Sequence, residues 1–163
     1  MLDDDSAPAR AARQLFQQAF RLQQRGALAD AMRLYKESLA QFPTAEAHTF
    51  LGWTYAILHR YESAIEECHQ AIALDPTFGN PYNDIGAYFI ELDWWREAIP
   101  WFQKAIAAPR YEHPEFAHFN LGRVYEHLGQ WPRALECYRA ALAQNRNHAR
   151  AQSALRLLIG RLN

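Results

Sequence analysis

"NLGRVYEHLGQWPRALECYRAAL" (120–142) reads as helix almost throughout, yet it carries glycine at 122 and again at 129. Glycine inside a helix costs about 1 kcal/mol relative to alanine. Gly129 falls in Gly-Gln-Trp-Pro, a turn that closes one helix and opens the next. Gly122 has no such excuse, because it lies between Leu121 and Val124-Tyr125 inside an amphipathic run.

Two other stretches explain it. "IGAYFIELDWWREAIPWFQKAI" (85–106) and "LGWTYAILHRYESAIEECHQAI" (51–72) align with 121–142 without gaps. A small residue recurs at Ala19, Gly52, Gly86 and Gly122, at intervals of 33, 34 and 36 residues. Alanine follows each by twelve residues, at 31, 64, 98 and 134. Four residues on come Tyr35, Cys68, Phe102 and Tyr138, and three further come Ser38, Ala71, Ala105 and Ala141. Two helices can bury apolar faces only where their backbones approach, so the small column is read as clearance at a helix crossing, opposite the alanine column.

This pattern resembles the tetratricopeptide repeat, a helix–turn–helix unit of about 34 residues. Leu51-Gly52-x2-Tyr55, Ile85-Gly86-x2-Phe89 and Leu121-Gly122-x2-Tyr125 carry the front half of its motif. Tyr61-x2-Ala64, Trp95-x2-Ala98 and Trp131-x2-Ala134 carry the back half. The family's leading Trp is replaced by Leu15, His48, Tyr82 and His118, and Pro43 and Pro76 close only the first two units. The resemblance implies an all-α, right-handed superhelical solenoid. Its expected organisation is a flexible acidic lead (1–11), four repeats (12–44, 45–78, 79–112, 115–148) and a capping helix (149–163).

Punctuation within the units adds detail. Asn80-Pro81 reads as a capping residue before a helix start, and Pro132 as the opening of another helix. Pro100 falls inside a helix, and "PRYEHP" (109–114) is expected to leave Tyr111 and His113 on a projecting turn. In "ARAQSALRLLIGRLN", Leu155, Leu158, Ile159 and Leu162 fall on one face, as a cap requires.

Composition limits the function. The formal net charge is −1 over 163 residues, which gives no general attraction to nucleic acid or anionic membranes. No apolar run approaches the roughly 20 residues of a spanning helix, and the start lacks a signal-peptide pattern. Cys68 and Cys137 fit neither a disulfide framework nor metal-ligand spacing. The seven histidines are scattered, and phosphate-loop and hydrolase motifs are missing. The expectation is a cytoplasmic, non-catalytic protein with no metal and no cofactor.

In the resembling family the first helices line a concave groove that holds a peptide or a partner's helix. The residues of those helices outside the packing columns give the expected groove set. They are Phe16, Phe20, Phe50, Trp53, Asn83, Asp84, Phe116, Phe119, Asn120, Arg123 and His127. Each ring is either a binding anchor or a packing element between helices. The polar members have the donors and acceptors to bond an extended backbone and one carboxylate or carbonyl. A subgroup of the family clamps acidic C-termini of heat-shock chaperones with Lys, Asn and Arg. Here those places hold Phe16, Phe20, Phe50, Asn80 and Asp84, so that clamp is missing.

The function implied is a protein- or peptide-binding adaptor or scaffold. The alternatives are a homo-oligomerising scaffold and a small chaperone of a bacterial secretion system. Charge is uneven: residues 10–44 net +4, repeat two nets −4, and 149–163 carry three arginines and no acid. Such a map suits either ordinary solvated faces or contacts between copies.

Overall fold

The computed structural model describes residues 6–162, and among these every regular element is a helix. The helices are α1 (Ala7–Gln24), α2 (Leu28–Gln41), α3 (Ala45–Ile57), α4 (Tyr61–Leu74), α5 (Asn80–Glu91), α6 (Trp95–Ala107), α7 (Pro114–His127), α8 (Trp131–Gln144) and α9 (Ala149–Leu162). They fall into two compact units divided between Pro76 and Thr77, α1–α4 and α5–α9. Residues 6–11 of the expected flexible lead 1–11 are ordered: Ser6 Oγ caps α1 by accepting from Ala9 N–H at 3.2 Å, and helix begins at Ala7. Residues 1–5 of that lead lie outside the described residues.

Each odd-numbered helix from α1 to α7 ends by the same device. Gly26, His59, Asp93 and Gly129 hold positive φ of 78°, 56°, 63° and 70°. The following N–H reaches the carbonyl five residues back: Ala27 to Leu22, Arg60 to Tyr55, Trp94 to Phe89 and Gln130 to Tyr125, at 2.8–3.0 Å. This closure satisfies carbonyls at the helix end and turns the chain into the next helix. Where the left-handed residue is not glycine, its side chain bonds two residues on. Asp93 Oδ1 accepts from Trp95 Nε1 at 2.6 Å, and His59 Nδ1 lies 3.0 Å from the Tyr61 hydroxyl.

The small column has the expected place but different neighbours. A Cβ at Gly122 would sit 2.5 Å from the Tyr138 ring, and one at Gly86 would sit 2.7 Å from Phe102. Only at Gly52, where the facing column residue is the thin Cys68, does the alanine column come nearest, through the Ala64 carbonyl at 3.0 Å. The glycines of repeats three and four make room for aromatic rings, and the alanines allow the backbones to approach.

Three local expectations change. Asn80 is not a cap: it is the first residue of α5, behind Gly79, and makes no capping bond. Tyr111 does not project. Its ring lies over Gly79, where a Cβ would meet it at 2.4 Å. A parallel bridge between Phe78 and Arg110 pins that loop, with Gly79 N–H to Arg110 O at 2.9 Å and Arg110 N–H to Thr77 O at 3.0 Å. His113 is exposed, as expected. Pro132 does open α8, and α6 runs uninterrupted through Pro100. The face expected on α9 divides, since Leu158 is buried and Leu155 half-buried while Ile159 and Leu162 remain exposed.

Candidate functional site

In the second unit, α5 and α7 are neighbouring first helices, and side chains link them in a ladder. Asn120 Nδ2 donates to Asn83 Oδ1 at 3.2 Å across 37 residues of chain. Asn83 Nδ2 in turn approaches Asp84 Oδ1 at 3.4 Å, and Arg123 Nη1 approaches Asn120 Oδ1 at 3.4 Å. The four polar residues picked from sequence therefore form one chain of contacts. All four are half-buried, and two of their three bonds are at the long limit of hydrogen bonding. Each carboxamide keeps spare donor and acceptor capacity. Burial pushes the Asp84 carboxyl up to about 7, against the lowering effect of Asn83, so it is partly protonated near neutrality.

Beneath α7 a second polar group is fully committed to structure. Burial raises the Glu115 carboxyl, but its own backbone N–H, Asn145 and His113 together hold it below its usual value. Asn145 Nδ2 and His113 Nδ1 each stand 3.3 Å from Glu115 Oε1.

In the first unit, the aromatic residues of α1 and α3 pack on one another. Phe50 meets Phe16 and Phe20 nearly edge-on, with ring centroids 5.3 and 5.4 Å apart, and Trp53 at 5.9 Å. The three phenylalanines are half-buried, while Trp53 is 48% exposed at the end of the row. Such edge-to-face contacts fix the rings before any ligand arrives. Phe16 also lines a 280 Å³ hollow with Ala9, Ala12, Arg13, Phe42 and Glu46.

Two expected groove residues stand elsewhere. Phe119 is only 6% exposed, packed in the core against Tyr138 and His148 at ring distances of 5.8 and 5.1 Å, so it offers no anchor. It falls outside the packing columns of the sequence, but α8 and α9 close over that side of α7. Phe116, one turn earlier, is exposed. His127 is exposed but already stacked on Trp95, 3.9 Å between ring centroids and 9° from parallel. With Arg123, Trp131 and Arg161 these rings line an open 350 Å³ pocket that the motif reading did not disclose, because it took Trp95 and Trp131 only as marks of the repeat's back half. Burial lowers His118, in the slot the repeat motif gives to Trp, which favours a neutral imidazole there. Among the described residues no three His, Cys, Asp or Glu side chains gather as a metal site. No described helix is long and apolar enough to cross a membrane.

A family model of the tetratricopeptide repeat matches residues 45–78 and 115–148, the α3–α4 and α7–α8 pairs. Those two helix pairs are tetratricopeptide repeats. Among curated proteins the chain is similar to anaphase-promoting complex subunit 6 of Arabidopsis thaliana, 28% identical over 116 residues. That match takes in 69% of this chain but 21% of the relative, so the chain spans about a fifth of that protein's length. Among solved structures it is similar to PilF of Pseudomonas aeruginosa, with a TM-score of 0.89 at 23% identity over 96% of this chain and 71% of that one. It is also similar to MamA, with a TM-score of 0.72 at 28% identity over 86% and 81% of the two chains. The α-solenoid class of the tetratricopeptide repeats is the architecture found here.

Proposed function

We propose that this tetratricopeptide-repeat chain is a non-catalytic binding module whose α5–α7 face captures an extended peptide segment. The Asn83–Asn120 bond carries the reading. It holds two carboxamides side by side on adjacent first helices, with long, easily exchanged contacts to Asp84 and Arg123 on either side. A peptide backbone offers the same alternation of N–H and C=O groups, so it can replace those weak bonds without leaving a buried group unpaired. Arg123 then supplies a cation for a carbonyl or carboxylate of the ligand.

The aromatic row of the first unit is the second contact surface in this reading. Trp53 is its anchor, since exposed Trp on a pre-packed ring cluster adds contact area at small entropic cost. The similarity to a subunit of a multiprotein complex supports protein binding as the class of activity. The partner is a protein or peptide, and the cellular setting proposed is the cytoplasm.

The test is affinity capture with wild type, Asn83→Ala/Asn120→Ala and Trp53→Ala, each first matched for helicity. Proteins held by wild type and lost with the double asparagine variant support the reading. Capture unchanged by both variants refutes it.

A further inference from the structure

Helix α9 packs on α8 in the position of a first helix, 34 residues on from α7, and the register continues. Ala117 becomes Ala151 and Val124 becomes Leu158, and all four are fully buried. Leu121, Gly122 and Tyr125, the positions that face a unit's own second helix, become Leu155, Arg156 and Ile159. Arg156 thus occupies the glycine slot. In α7 a Cβ at that slot would meet the facing ring at 2.5 Å, so the long Arg156 side chain obstructs a second helix at repeat spacing.

The face it leaves is apolar nonetheless. Ile159 is 38% exposed and Leu162 is 49% exposed, and Leu155 is only partly covered. With Leu142 of α8, Leu155 and Ile159 line an open trough of 350 Å³, and Arg156 and Gln152 complete its wall. The charged side chains of α9 are all basic, and on α8 Arg139 is followed by no acid, although Glu136 lies one turn before it. From Cys137 onward the chain has five arginines and no acidic residue. Arg139 stands one turn from Leu142 on α8, and Arg156 stands on the trough itself. Neither has a carboxylate within ion-pairing distance among the described residues.

We propose that the α8–α9 trough docks an amphipathic helix of a protein partner, one with an apolar ridge flanked by Asp and Glu. The apolar floor takes the ridge, and Arg139 and Arg156 take the carboxylates on its flanks. A second copy docking by this same face would set arginine against arginine, which disfavours self-pairing. A concave trough between two helices fits a helix ridge better than a lipid surface, which needs a projecting apolar face. This surface is separate from the α5–α7 ladder, and its test uses no ladder variant.

A randomised displayed library of helical peptides about four turns long is panned on wild type and counter-selected on Ile159→Glu. That position is exposed, so the variant keeps its fold, which circular dichroism checks. The expected pool has apolar residues at i, i+3 or i+4 and i+7 with net acidic flanks. Its members lose about tenfold or more in affinity on Arg156→Glu and weaken with added salt. A pool that is basic, or without helical apolar spacing, overturns the proposal. So does a concentration-dependent dimer in sedimentation that Ile159→Glu dissolves, which assigns the face to a second copy. Co-sedimentation with phosphatidylglycerol vesicles, abolished by Ile159→Glu while no peptide is enriched, assigns it to lipid and likewise overturns the proposal.

Discussion

The Tyr138 hydroxyl donates to Glu126 Oε2 across 2.7 Å, and Tyr35, also twelve residues beyond its partner, donates to Gln23 Oε1 at the same distance. In repeats two and three the tyrosine's place is taken by Cys68 and Phe102, and the acceptor's by Ala56 and Ile90. Donor and acceptor are present together or absent together, as buried polar groups require. The two bonds differ in setting. Glu126 is a quarter exposed and also accepts from Arg161 Nη1 at 3.1 Å, which ties α9 to α7. Gln23 is buried, and its Nε2 already lacks a partner.

Removing the two hydroxyls should therefore cost different amounts. Tyr138→Phe leaves Glu126 to Arg161 and water, at about 0.5–1 kcal/mol. Tyr35→Phe orphans a buried carboxamide oxygen and should cost about 1–3 kcal/mol. Urea unfolding of the two variants checks the order. A larger loss for Tyr138→Phe would contradict it.

The helical glycines separate in the same way. Gly122→Ala drives a methyl group to 2.5 Å from the Tyr138 ring and should destabilise by about 1–3 kcal/mol. Gly160→Ala, in α9 with nothing within 4 Å, should stabilise by up to about 1 kcal/mol. Thermal melts of the pair should shift in opposite directions.

Asp84 gives stability a pH dependence. Its carboxyl lies at about 7 in the folded chain against an ordinary value of 3.8, so the folded state holds the extra proton between those values. Stability should fall as pH rises through that window and level off above it. Asp84→Asn should remove this slope. Near pH 8 it should be the more stable protein, by on the order of 1–3 kcal/mol once partial exposure is discounted. Parallel pH profiles for wild type and variant would show that Asp84 is not the group responsible.

Neither thiol should react readily. Cys68 is fully buried, and burial, aided by Glu136, pushes the Cys137 thiol up to about 11. Near pH 8 only about a thousandth of Cys137 is thiolate. Alkylation of the native protein by iodoacetamide, followed by mass spectrometry, should therefore be far slower than after unfolding in urea.

The repeat register was legible in the sequence because close helix crossings leave so few residues at Ala19, Gly52, Gly86 and Gly122. The ladder was legible in part. Asn120 and Arg123 share a helical face by spacing alone, whereas their link to Asn83 spans 37 residues and depends on how α5 meets α7. Phe119 was misplaced because periodicity names a face but not what covers it. Tyr111 was misplaced because the bridge that folds its loop onto Gly79 is a backbone pairing without a side-chain pattern. The left-handed turns at His59 and Asp93 carried no glycine to mark them.

The measurement that tests the peptide-binding account most directly is a side-chain amide NMR titration. The carboxamide signals of Asn83 and Asn120 are assigned by substituting each in turn, and a captured partner's binding peptide is then added. The account predicts that both pairs of signals shift together, with one dissociation constant equal to that from Trp fluorescence or calorimetry. Saturating binding with both carboxamides unmoved would contradict it.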